Sequence, residues 1–212
     1  LMIRRPPRST PLSLHGALPI WNFPYVILGS PDMDGKDANW VDVNNEQGAE
    51  LAVEHLLSQG YRRIAYLGGC EKAGFVQRRL KGYRAMIRDA ARRMEIATDG
   101  TAAFAEQATR EALALAGPPD AFLCNDNLTA FGAIKAIKAA GLAVPGQVGL
   151  VTFDNEPLAA YTDPPLTAIN VDTALLGEES ARMLFLRIER RMDGRQTMLS
   201  TSLIKRESSC RM

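Results

Sequence analysis

The chain has 212 residues, long enough for one large domain or two small lobes around a sizeable core. Hydrophobic residues make up 46% and charged residues 23%, an ordinary globular balance, and a formal net charge of +1 advertises no nucleic-acid partner by itself. No apolar run approaches the roughly 18–20 residues needed to span a bilayer, so no membrane partner is expected.

Residues 1–20 stand apart, with Arg4, Arg5, Arg8, four prolines and no acid. Without those three arginines, the formal charge of +1 becomes −2 for the remainder. A basic arm for DNA, a targeting peptide and a plain tail all fit such a stretch, but Pro11 and His15 interrupt any signal-type apolar segment. The run "MIRRPPRST" resembles translated sequencing-adapter read-through, so residues 1–20 are read as a non-native or disordered tail and left out of the fold.

From Trp21 onward strands and helices alternate. "PYVILG" is a short apolar strand, and the polar stretch "SPDMDGKDANW" follows it. "VDVNNEQGAELAVEHLLSQG" reads as a crossover into a helix that Asn44 or Asn45 can cap and Gly60 stops, with Ala49, Ala52, Val53, Leu56 and Leu57 on one face. "RRIAYLGG" is a strand. A second helix runs through "QRRLKGYRAMIRDA" with Leu80, Tyr83, Ile87 and Ala90 inward, and a third spans about 104–115. The strand "AFLC", a helix over 127–140 ended by Gly141, and the strand "VGLVTF" come next. "PPLTAINV" is extended, residues 172–192 have helical spacing, Asp193-Gly194 is a turn signal, and "MLSTSLIK" closes as a strand. The helix 172–192 carries Leu175, Leu176, Met183, Leu184, Leu186 and Ile188, an apolar face expected to be left exposed.

Short apolar strands alternating with helices mean an α/β fold with a doubly wound, mainly parallel sheet. Ligands of such sheets sit beyond the carboxyl ends of the strands. Gly68-Gly69, Asn125-Asp126 and Asp154 all fall at that edge.

Several motifs lead nowhere. "YLGGCEKAG" lacks the Gly-Lys-Ser/Thr ending of a phosphate loop, and no Gly-x-Ser-x-Gly elbow or paired nucleophile supports an enzyme. Cys70, Cys124 and Cys210 are far apart and odd in number, as in a reducing compartment. His15 and His55 give no metal-ligand spacing, so no metal or cofactor is expected, and His55 beside Glu54 reads as a surface or half-buried helix residue. Taken singly, Arg78 and Arg79 could be a solvated face, Asn125-Asp126 a helix cap and Asp154 a turn cap. Jointly, planar Asp, Asn and Arg groups at neighbouring strand ends suit the adjacent hydroxyls of a polyol.

The ordered motifs "HLLSQGYRRIAYLGG", "RRLKGYRAM", "PDAFLCNDNLTAFGAIKAIKAAGLAVP", "VGLVTFDN", "PPLTAINVD", "LGEESARMLFLRI" and "LIKRES" resemble the effector-binding domain of LacI-type transcriptional regulators from about Pro24 to the C-terminus. The resemblance implies a type I periplasmic-binding-protein-like fold that holds a sugar or similar effector between two lobes. It implies effector contacts at Arg79 (three residues before Gly82-Tyr83), Asn125 and Asp154, with Asp126 in support. The loop 30–39 aligns with no ligand residue of the family, and Asp32 and Asp34 in it are candidates only. Thr152 stands where the family has glycine and Asn155 where it has an acid, which bears on pocket shape.

On this reading the C-terminal lobe is largely complete and the N-terminal lobe partial, without helix-turn-helix or hinge. The expected parts are a tail at 1–20, an N-terminal-lobe remnant at 21–44 and the effector-binding lobe at 45–163. A crossover with a helix of the other lobe follows at 164–196, then the final strand and tail at 197–212. The implied partners are a small-molecule effector, operator DNA in the full-length protein only, and a second subunit in a cytoplasmic homodimer. Two other readings keep to an α/β fold: a periplasmic sugar-binding protein serving a transporter, and a sugar-phosphate-processing enzyme.

Overall fold

The structure is a computed structural model that describes residues 24–30, 38–68, 73–189 and 194–211. The tail at 1–20, Asp32, Asp34, Gly69 and Cys70 lie outside the described residues. In chain order the elements are β1 (Ile27–Leu28), β2 (Trp40–Val43), α1 (Asn45–Ser58), β3 (Ile64–Leu67) and α2 (Gly74–Met86). Next come β4 (Met94–Ile96), α3 (Ala102–Leu113), β5 (Ala121–Cys124), α4 (Asn127–Ala139) and β6 (Gly149–Phe153). The chain closes with β7 (Thr167–Asn170), α5 (Thr173–Ile188), β8 (Gln196–Leu199) and β9 (Ser202–Ile204).

The chain divides into two compact units, one of Leu1–Asp42 with Ala174–Thr197 and a larger one of Val43–Thr173 with Met198–Met212. The smaller holds most of the sheet β1-β2-β8 and nearly all of helix α5. Along α5, Leu175, Phe185 and Ile188 are exposed, Leu176, Leu184 and Leu186 half-buried, and Met183 buried.

The larger unit is built on six strands in the order β4-β3-β5-β6-β7-β9, parallel except where β9 runs antiparallel to β7. Helices cover both faces, so β3, β5 and β6 are buried at every position and show no polar alternation. Residues of β5 point alternately into two cores. Phe122 and Cys124 join Ala105, Ala133, Ile137 and Leu150, whereas Ala121 and Leu123 join Val53, Leu56, Tyr83 and Phe153. Each fully buried Leu or Phe contributes about 1.5–3 kcal/mol relative to exposure. Burial also pushes the Cys124 thiol up, keeping it protonated.

Four details differ from the sequence reading. Helix α2 starts at Gly74 and stops at Met86, and Ala90 is exposed in a separate short turn whose Ala91 N–H the Asp89 carboxylate caps. Strand β4 gave no signal because three residues are too few for a period. "PPLTAINV" supplies a central strand of the larger sheet rather than a crossover, so the change of unit falls at Thr173. "MLSTSLIK" is two strands in two sheets, broken at Ser200-Thr201.

His55 also departs from its reading. It is buried (5% exposed), and its Nε2 lies 2.7 Å from Ser209 Oγ. The Ser209 hydroxyl donates to Thr167 Oγ1 (2.6 Å), and the Thr167 hydroxyl donates to the Arg206 carbonyl (2.9 Å). With the serine proton committed, Ser209 Oγ accepts from His55, so the neutral ring carries its proton on Nε2. Burial first, and then the nearby charge of Lys205, lower the His55 pKa below 6.5. The folded state therefore binds fewer protons here than the unfolded one. The stabilisation is complete above the unfolded value and is lost as pH falls below it toward the lowered folded value. Melting at about pH 7.5 and about pH 5.5 should show a larger drop for the native chain than for His55→Gln, which stays neutral at both. Equal drops would mean that His55 contributes nothing to acid sensitivity.

Candidate functional site at the carboxyl edge of the larger sheet

The register places Leu67, Cys124 and Thr152 side by side on β3, β5 and β6. The residues just beyond them therefore emerge at one edge. Arg79, from the second turn of α2, is delivered to the same place.

Arg79 is buried, and its planar fork is divided among partners. Its Nε donates to Asn45 Oδ1 at 2.8 Å, one Nη donates to the Asn125 backbone carbonyl, and the other lies 3.6 Å from Asp154 Oδ1. The guanidinium sits 3.9 Å above the Phe153 ring, with Phe75 4.9 Å from it on α2. A desolvated cation held by hydrogen bonds and an aromatic face is fixed in direction.

The three polar residues after β5 do three different things. Asn125 is buried, accepts from the Tyr66 hydroxyl at 3.0 Å and donates to Asp126 Oδ2 at 3.1 Å. Asp126 is the N-cap of α4: its carboxylate accepts from Thr129 N–H, and its own N–H donates to Thr129 Oγ1, closing a capping box. Asn127, at the first helical position, donates from Nδ2 to the Asp154 carbonyl at 2.9 Å.

Asp154 follows β6 with its side chain 34% exposed, more open than the buried Arg79 and Asn125. Burial raises its pKa above the ordinary 3.8, Arg79 opposes that shift, and the carboxylates of Asp126 and Glu156 add to it. Arg79 does not reverse the rise, because it stands 3.6 Å away and serves two other acceptors. Burial likewise raises the Tyr66 phenol, which stays a neutral donor to Asn125.

The structure thus brings Arg79, Asn125 and Asp154 together and puts Asp126 in the cap beside them. Sequence reasoning missed Asn45, Tyr66 and Asn127. Asn44 takes the α1 cap, accepting from Gln47 N–H at 3.0 Å, and this frees Asn45 for Arg79. Thr152, where a glycine was expected, is buried and turns its hydroxyl onto the Phe153 carbonyl. Asn155, where an acid was expected, accepts from Arg206 at 2.6 Å and donates to Asn170 at 3.1 Å.

A cavity of about 240 Å³ lies nearby, among Tyr66, Gly68, Gln77, Arg84 and Glu95, and one of about 530 Å³ lies between β4 and α3. Neither is lined by Arg79, Asn125 or Asp154, so the converging groups and not the cavities locate the site. Among the described residues no group of three or more His, Cys, Asp or Glu side chains could hold a metal ion, and no helix is long and apolar enough to cross a membrane.

A mainly parallel sheet covered on both faces, with charged and amide groups gathered at its carboxyl edge, is the architecture of an α/β ligand-binding domain. The chain belongs to the periplasmic binding protein-like domain family, which matches residues 53–209. It is homologous to LacI-type regulators. The HTH-type transcriptional regulator CelR of Thermobifida fusca is 32% identical over 191 residues, covering 87% of this chain and 56% of that protein. A solved CelR–cellobiose complex has a TM-score of 0.85 at 32% identity, covering 92% of this chain and 62% of that one. The lac repressor dimer bound to operator and the anti-inducer ONPF has a TM-score of 0.81 at 28% identity, covering 90% and 58%. The chain spans about half the length of the curated relatives it matches.

Proposed function

We propose that the larger unit binds a small polyol, a sugar or sugar derivative, at the edge formed by Arg79, Asn125 and Asp154, and serves as the effector-sensing part of a LacI-type regulator. The observation that carries this is the Arg79–Asp154 pair, a buried donor fork delivered by α2 beside a half-exposed carboxylate at the end of β6. Adjacent hydroxyls can accept from one and donate to the other. The homology to CelR, which has been solved with cellobiose, supports a saccharide. Asp126 acts through the cap of α4, and Asp32 and Asp34 remain candidate contacts.

In the whole regulator, effector binding would shift an equilibrium between two lobe arrangements, and operator affinity would change reciprocally. The lac repressor dimer on its operator supports a homodimer on DNA, and the regulators among the relatives support a cytoplasmic, non-enzymatic role. Calorimetric titration with cellobiose, monosaccharides and sugar phosphates tests the proposal. Saturable heat with one class, and unchanged sugar afterwards by NMR, is the expected result. Silence across the panel, or turnover of any member, would overturn it.

A further inference from the structure

We propose that Asn127 is the positioning residue that fixes Asp154 in a left-handed backbone and so sets where its carboxylate points, an inference that rests on Asp154 being an effector contact. Asp154 has φ of 67° and is, among the described residues, the only non-glycine residue at positive φ. That conformation is costly for residues with a Cβ, though less so for Asp and Asn, and it persists only where surroundings impose it.

The surroundings are on both sides. The Asp154 carbonyl accepts from Asn127 Nδ2 at 2.9 Å. The next residue, Asn155, is held by Arg206 at 2.6 Å and Asn170 at 3.1 Å. Asn127 is itself immobilised, 5% exposed at the first position of α4 behind a closed capping box. Among the described residues its Oδ1 is buried without a hydrogen-bond partner. The first position of a helix needs no side-chain amide, since Ala or Pro serves there. The hydrogen bond that its nitrogen makes to the Asp154 carbonyl accounts for an amide at this position. Turning the amide over would set oxygen against the Asp154 carbonyl, so its orientation is fixed too.

The arrangement splits the labour of the Asn-Asp-Asn triplet. Asn125 supports the Arg79 fork through its carbonyl, Asp126 starts the helix, and Asn127 reaches across to the neighbouring strand end and clamps the carboxylate's own backbone.

The test uses the full chain with Asn127→Ala and Asn127→Leu. The first removes the side chain and the second fills its space without a donor, and both are expected to melt cooperatively. The three-bond HN–Hα coupling of residue 154 reports φ, and calorimetry with cellobiose reports binding. The expected result is a coupling moved off its native value in both variants and an affinity lowered about tenfold, the scale of one hydrogen bond. Native coupling in both folded variants would overturn the proposal. A native chain that ignores cellobiose leaves the coupling to decide positioning and counts against cellobiose as effector. A shifted coupling with undiminished cellobiose affinity would instead remove Asp154 from the effector contacts.

Discussion

Gly132→Ala is expected to destabilise the larger unit by about 2–3 kcal/mol, while Gly177→Ala stabilises the chain by up to about 1 kcal/mol. The intrinsic helix-propensity gain of Gly→Ala is the same at both positions, so the sign is decided by space. A Cβ on Gly132 in α4 would lie 2.2 Å from the Ala102 carbonyl, 2.7 Å from the Glu106 nitrogen and 2.9 Å from the Ala105 Cβ, all in α3. Two of those atoms are backbone and cannot swing aside, so α3 and α4 must separate and open the core formed by Ala105, Ala108 and Ile137. Overpacking of this kind typically costs about 1–3 kcal/mol, and an unyielding backbone puts Gly132 at the upper end even after alanine's better helix propensity. Among the described residues a Cβ on Gly177 in α5 meets nothing within 4 Å, so only the propensity gain remains. Urea titrations of the two variants check both signs. A native midpoint for Gly132→Ala would mean that α3 and α4 do not approach as closely in solution.

Gly132 also shows which parts of the fold were legible beforehand. The sequence reading found the helix over 127–140 from its apolar spacing and its stop at Gly141, which has φ of 71°. It could not tell that Gly132 exists to admit a neighbouring helix, because that neighbour is thirty residues away. The same limit runs through the molecule. "AFLC" and "VGLVTF" were readable because strands buried on both faces are continuously apolar. β4 was not, because its partner β3 and not its own pattern makes it a strand. His55 looked like a surface or half-buried residue beside Glu54, since Ser209, which it contacts in the core, is 154 residues distant.

The candidate site divides in the same way. Asn125 and Asp154 were reachable through strand-end position, Arg79 through its place at the opening of a helix, and all three through the family resemblance. Asn45 and Asn127 were not, since each looked sufficient as a local cap or helix-start residue. Two adjacent asparagines at a helix start, and two flanking one aspartate, were the visible signal. A single cap needs only one side chain, and the surplus amides marked long-range hydrogen bonds.

Asp154→Asn is expected to weaken effector binding by about 1.5–3 kcal/mol, the scale of a charge-assisted hydrogen bond to a ligand hydroxyl. It should leave the ligand-free midpoint nearly unchanged. Asparagine is the right probe because the backbone at φ of 67° tolerates it, whereas alanine would add strain of about 1–2 kcal/mol and confuse stability with binding. Two opposing effects keep the ligand-free chain level. Burial raises the Asp154 pKa, so the fold disfavours its ionised form, and a neutral amide relieves that cost. Arg79 loses a partner at 3.6 Å but keeps Asn45, the Asn125 carbonyl and the Phe153 face. The raised pKa also fixes the pH dependence. If the bound sugar needs the carboxylate, affinity is full at neutral pH and falls as pH drops through a value above the ordinary 3.8. In the Asn variant that acid limb should vanish, leaving weak binding that is flat over the same window. Calorimetry at several pH values, beside a melt at each, separates the cases. A variant that binds as well as the native chain, with the acid limb intact, would assign the limb and the affinity to another group.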